Sequence, residues 1–214
     1  MANYLIHACL NRLRYVYDYL IPSLQAQGIE NVDVRCDTKH LGCLESCMSI
    51  FDSMESEGGT WHLQDDVIVC HNFKELTERY DSGIVCGFTQ TRSTKIGLVK
   101  PHHMWWSFPC IRIPNEIAKG CAQWYYSFAQ YYAKYYEWVE MKKCDDNFLR
   151  EYLIKEHPDK AVLNLAPNLV DHIDWLIGGS IVNDYRGDYQ VRAQYFEDRY
   201  LVDELEMDLK GKTM

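Results

Sequence analysis

The 214-residue chain has no run of lysine or arginine, and no apolar stretch near the ~20 residues that a membrane span requires. Its 22 Lys and Arg face 31 Asp and Glu, for a formal charge of −9. That balance excludes a surface built mainly to grip phosphate backbones. The start "MANYLIHACLNRLRYVYDYL" lacks the charged segment and apolar block of a signal peptide. The nine cysteines fall into no zinc-ribbon spacing, so a cytoplasmic chain with reduced thiols is expected. Cys43 and Cys47 stand four apart on an expected helix; with no second Cys or His pair to answer them, they read as small buried thiols. Glycine is missing from "HACLNRLRY" after the first apolar run, where a phosphate-cradling loop would need it.

What is present suffices for one folded unit over residues 1–214, since 47% of the residues are hydrophobic and only 25% charged. Asn3–Leu10 reads as a strand, followed by a helix that stops at Gly28. Glu30–Asp37 alternates as a strand does, Leu41–Ser56 has helical spacing, and "TWHLQ" is a third strand. After a brief "VIVC" comes a helix in "HNFKELTERY", with Asn72 and Glu75 spaced as a capping box. Gly83–Gln90 is a strand, Thr91–Met104 a long polar loop, and "WWSFPCIRIP" a further strand. An aromatic-rich helix is expected from Asn115 to about Met141, then a helix opening on Asp145 and Asp146. "AVLNLAPNLVDHID" gives a strand, a turn and His172 before an acidic helical tail over residues 194–214. Strands alternating with helices imply an α/β fold with a mixed, largely parallel sheet flanked by helices.

In such sheets ligands bind at the carboxyl ends of strands, where Asp65 and Asp66 fall. Two adjacent like charges are costly to bury unless something balances them. They read either as a solvated turn or as a site for a divalent cation. Arg12 and Arg14 follow the first strand, either as helix-surface charges or as groups able to meet a phosphate. Asp145 and Asp146 read equally as N-caps or as one cap and one base. His102 and His103 are loop residues, and His172 alone would be a satisfied, half-buried histidine.

Taken in order, these segments resemble the metal-dependent glycosyltransferases of the GT-A (Rossmann-like) fold. "LGCLESCMSIFDSMESEGGTWHLQDDVIVCHNF" is similar to their nucleotide-binding half, "CDDNFLREYL" to the helix start carrying the base of inverting members, and "APNLVDHID" to the segment whose histidine completes the metal site. The resemblance spans roughly residues 3–180. It implies a nucleotide-sugar half over about 1–110, an acceptor and metal half over about 111–193, and a tail over 194–214.

It further implies Mn²⁺ or Mg²⁺ held by Asp66, Asp65 and His172, and a donor, UDP-sugar by expectation, contacted by Gln64, Asp65, Arg12 and Arg14. Gln64 stands where the family carries an acid; it can hydrogen-bond a hydroxyl but neutralises no charge. Asp146 or Asp145 would be the base, with Asp146 marginally ahead. The acceptor stays open between a glycan, a protein and a modified DNA base; the compact length is similar to that of phage or prophage enzymes as much as cell-envelope ones. Two other readings stand beside this one: a non-catalytic module that keeps the fold, and a nucleotidyltransferase, which the missing glycine loop disfavours.

Overall fold

A computed structural model describes residues 2–90, 95–103, 109–132, 145–178 and 192–211. The first strand, β1 (Asn3–Cys9), lies between β2 (Val32–Asp37) and β3 (Gly59–Gln64), parallel to both. Beyond β3 the sheet continues through β7 (Cys110–Pro114), β5 (Ile84–Cys86), β8 (Val162–Asn164) and β6 (Gly97–Val99). Only β7 and β6 run against the common direction, as their antiparallel pairings with β3, β5 and β8 require. A separate ribbon pairs β4 (Val67–Val69) with β9 (Val170–His172).

Both faces of the sheet are covered, and the period-2 alternation of each strand sorts its side chains between them. Tyr4, Ile6 and Ala8 of β1, with Trp61 and Leu63 of β3, pack beneath the helical segment 10–26, α4 (Phe73–Arg79) and the C-terminal helix α7 (Arg199–Gly211). On the other face Ile111, Ile113, Ile84 and Val162 pack against α3 (Cys43–Asp52), α5 (Asn115–Tyr132) and α6 (Asp145–Glu156). Segment 10–26 is continuous but mixed. A 3₁₀ turn at Leu10–Arg12 leads into α1 (Leu13–Tyr15), a π-helical stretch at Val16–Leu20 and α2 (Ile21–Ala26).

The expected α/β class and its flanking helices are present. The segment expected as one long loop, Thr91–Met104, instead contains β6 and a 3₁₀ turn at Pro101–His103. Three residues carry no period of their own, and β6 exists through its pairing with β8. The capping box does not form, because the Asn72 side chain makes no cap hydrogen bond. Entry into α4 is fixed one residue earlier, where the His71 N–H donates to Asp198 at 2.9 Å. The aromatic helix is described to Tyr132; its expected continuation to Met141 lies outside the described residues. Among the described residues the cysteines are unpaired thiols, and no helix is long and apolar enough to cross a membrane.

Candidate active site

After Gln64 the chain turns through Asp65 and Asp66 into β4, and the β4–β9 ribbon decides what meets them. In its register Val67 faces His172, Ile68 faces Asp171 and Val69 faces Val170. The Ile173 N–H also donates to the Asp66 carbonyl at 2.8 Å. The ribbon therefore fastens the "LVDH" stretch, a hundred positions downstream, to the turn after β3. His172 Nε2 comes to 3.1 Å from Asp66 Oδ2.

From the other side comes the end of β1. The Cys9 N–H donates to Asp65 Oδ2 at 2.6 Å, and the 3₁₀ turn swings Arg12 back over the aspartates. Arg12 Nη1 donates to Asp65 Oδ1 at 3.0 Å and also to Asp66 Oδ2. Arg12, Asp65, Asp66 and His172 are all buried, each 5–6% exposed. The cluster lies at the carboxyl ends of β1 and β3, where one connection leaves for β2 and the next returns across β1. In doubly wound sheets such a reversal of strand order is where ligands bind.

The two aspartates are thus balanced by side chains of the same chain. Burial opposes ionisation of Asp66, but His172 and Arg12 outweigh it and hold that carboxyl well below the usual range. Burial likewise opposes protonation of His172; Asp66 and Asp174 overcome it and push the imidazole up to about 9. Arg12 is held firmly charged, burial being outweighed by both carboxylates. Asp65 is raised, by burial first and then by the charge of Asp66.

The remaining expected residues fall in different places. Gln64 ends β3 half-buried, its N–H on the Pro109 carbonyl at 2.9 Å. Arg14 does not join the cluster: its side chain is 86% exposed and pairs with Asp18 at 3.3 Å. Two residues along a helix point to different sides, so Arg12 turning inward sends Arg14 outward. Asp145 begins α6 fully within the protein, and burial first, with the charge of Asp66 adding to it, pushes its carboxyl up. Asp146 is half-buried and accepts the Asn147 N–H at 2.7 Å. His102 and His103 are exposed.

Three contributors went unnoticed in the sequence. Asp174 Oδ1 lies 3.3 Å from His172 Nδ1, on the ring edge opposite Asp66. The Tyr15 hydroxyl donates to the Val67 carbonyl at 2.7 Å, bracing the ribbon from the helical segment. Asp171 accepts the Ala193 N–H at 2.6 Å and Arg192 Nε at 2.8 Å, tying the ribbon to the residues just before the tail. Asp171 and Asp174 carried a signal, flanking His172 in "DHID". A cavity of about 680 Å³ opens at the other end of the sheet, between Asn3, Val32, Thr60 and Asn115, away from these groups.

The donor chemistry of the cluster suits a hard divalent cation: two carboxylates and one imidazole, with Asp66 Oδ1 buried and without a hydrogen-bond partner. Among the described residues, however, no three such groups converge on a point open to an ion. Arg12 stands between the carboxylates. An ion can use this set only where the guanidinium gives way.

No family model matches the chain, and no curated protein does. Among solved structures, it is similar to the apo form of glycosyltransferase GlyE of Streptococcus pneumoniae TIGR4, at 13% identity and TM-score 0.40 over 77% of this chain and 45% of that one. It is also similar to a Bacillus anthracis protein assigned as a glucose-1-phosphate thymidylyltransferase, in complex with a sucrose: 6% identity, TM-score 0.38, 77% of this chain and 86% of that one. HddC from Yersinia pseudotuberculosis matches at 14% identity and TM-score 0.31, over 56% of this chain and 80% of that one. The chain spans less than half the length of the first of these. Likenesses this distant identify no reaction.

Proposed function

We propose that this protein is a glycosyltransferase that takes its sugar from a nucleoside-diphosphate sugar, a UDP-sugar in the first instance, at the crevice between the carboxyl ends of β1 and β3. The observation that carries the reading is the buried acidic pair at that crevice, joined by a dedicated ribbon to an imidazole from far along the chain. A purely structural ion pair needs no such third member. Asp65, Asp66 and His172 would hold Mn²⁺ or Mg²⁺, which when bound supplies Lewis-acid stabilisation of the charge that develops on the leaving diphosphate.

The chain's own groups do the rest. Asp174, 3.3 Å from the far nitrogen of His172, favours the charged form of the ring. Gln64, at the last position of β3, offers an amide to a sugar or ribose hydroxyl. Asp146 or Asp145, at the start of α6, takes the proton of the attacking hydroxyl. A base set across the sugar from the leaving group inverts the anomeric centre. Incubation with a panel of radiolabelled nucleotide-sugars tests the proposal: free sugar is expected from at least one donor, and Asp66→Asn abolishes its release. A panel in which no donor is cleaved would contradict it.

One observation favours a second reading, a binding module without catalysis, because Arg12 already pairs with both aspartates. The readings part at Asp66→Asn, which such a module tolerates in its biological effect.

A further inference from the structure

The seven-stranded sheet ends on β2 at one side and on β6 at the other. An end strand offers unpaired N–H and C=O groups along its outer edge, and proteins that stay apart blunt such edges by shortness, proline, lysine or a bulge. β6 is blunted by its length of three residues. β2 is not: its six residues, VDVRCD, include no proline, glycine or lysine, and each is at least partly exposed. Among the described residues no strand lies beyond it. Its side chains alternate between the faces of the sheet. Val32, Val34 and Cys36 lean on the core under segment 10–26, while Asp33 and Arg35 stand on the opposite face with side chains 48% and 51% exposed.

We propose that β2 is a self-association edge, on which a second copy of this chain docks antiparallel and continues the sheet through a two-fold axis at Val34. An antiparallel pair about such an axis is centred on a residue, because a slip of one residue would exchange the two faces of one strand. Centring on Asp33 sets it against its own copy; centring on Arg35 does the same to Arg35 and sets Asp33 against Asp37. Like charges directly opposite are destabilising. Centring on Val32 or Cys36 leaves few strand residues facing one another, since β2 ends at Asp37 and the Thr38 N–H turns back to the Cys36 carbonyl at 2.9 Å. Centring on Val34 faces Asp33 with Arg35 of the second copy, twice over, and Val32 with Cys36. Charge and strand length select this register, and it is self-complementary, as contact between identical surfaces requires. The pairing also reaches the cavity at this end of the sheet. Among the described residues its lining carries Glu30, Asp33, Glu55 and Glu57 against Arg35. Arg35 of the second copy, opposite Asp33, brings a further positive charge to that acidic rim.

Sedimentation equilibrium of the full-length protein, in reducing buffer over a rising concentration series, tests the proposal. The 25.2 kDa chain is expected to pass reversibly into a species of twice that mass. Asp33→Arg sets arginine against arginine on both sides of the axis and is expected to weaken association about tenfold or more, whereas Asp33→Arg joined with Arg35→Asp restores it. Circular dichroism verifies that each variant folds. The register is read separately. Val34→Cys in a Cys36→Ser background, under mild oxidant, is expected to give a covalent dimer that Cys36→Ser alone does not, because facing Cα atoms about 4.5–5.5 Å apart suit a disulfide. A chain that stays monomeric to its solubility limit overturns the proposal, and so does a dimer that Asp33→Arg leaves unaffected. A charge swap that fails to restore association, or crosslinking through Cys36 of the wild type but not through Val34→Cys, overturns the pairing at Val34.

Discussion

His7 of β1 and His62 of β3 meet beneath α3, Nε2 to Nδ1 at 2.9 Å, with Phe51 against both rings. Burial pushes His7 down to about 4, and burial together with His7 holds His62 well below its ordinary value. Between pH 6.5 and 4 the unfolded chain therefore binds protons that the folded chain refuses. Stability rises with pH across that window, by at most about 1.4 kcal/mol per pH unit for each ring. Urea unfolding from pH 4.5 to 7.5 should show this slope, and His7→Phe combined with His62→Leu should flatten it; a slope unchanged in the double variant would contradict the assignment.

His172 works in the opposite sense. Raised to about 9 by its carboxylate neighbours, it contributes stability that is complete below pH 6.5 and is lost as pH rises towards 9. At this scale the sequence was informative about Asp65, Asp66 and His172. It was silent on what balanced them, because nothing in "LNRLR" shows which of two arginines a 3₁₀ turn will face inward.

Among the elements, the two shortest strands carry the most consequence. β4 and β9 have three residues each, too few for an alternation to be read, and their pairing joins positions a hundred apart. His172 does come to Asp66, but the ribbon that delivers it was invisible as a ribbon in the sequence. β6 escaped for the same reason, while longer periodic elements such as α3 and β3 were plain. Ile173, whose N–H closes the ribbon on Asp66 at φ −130°, offers a direct probe. Proline at that position removes the donor and cannot adopt the angle. Ile173→Pro should lower stability by more than about 1 kcal/mol and speed amide exchange at 67–69 and 170–172 before it affects β1 and β2. Uniform loss of protection across the whole sheet would show that the ribbon is not a local clasp.

The whole molecule is bound together more closely than its chain order implies. β7, from beyond the long polar segment, lies between β3 and β5, and β8 lies between β5 and β6, so strands early and late in the sequence alternate across one sheet. Sequence periodicity gives elements, and only long-range pairing gives their order. The acidic tail, which reads as an appendage, adds Phe196, Val202 and Leu205 to the core over β1 and β3, and Asp198 grips His71. Phe196→Ala is accordingly expected to cost about 3–5 kcal/mol in one cooperative transition, followed by circular dichroism and tryptophan fluorescence. Two separated transitions would show the tail folding by itself.

The cluster at the strand ends depends on all these layers at once, and so does the proposal that it handles a nucleotide-sugar. Thermal unfolding of the wild type with UDP and Mn²⁺ tests that proposal most directly. A ligand bound only by the folded state, present at a hundred times its dissociation constant, adds about 2.7 kcal/mol of stability. A clear rise in melting temperature with UDP and Mn²⁺ together, absent in Asp66→Asn, is the expected result. No rise with any nucleoside diphosphate, in Mn²⁺ or in Mg²⁺, would contradict it.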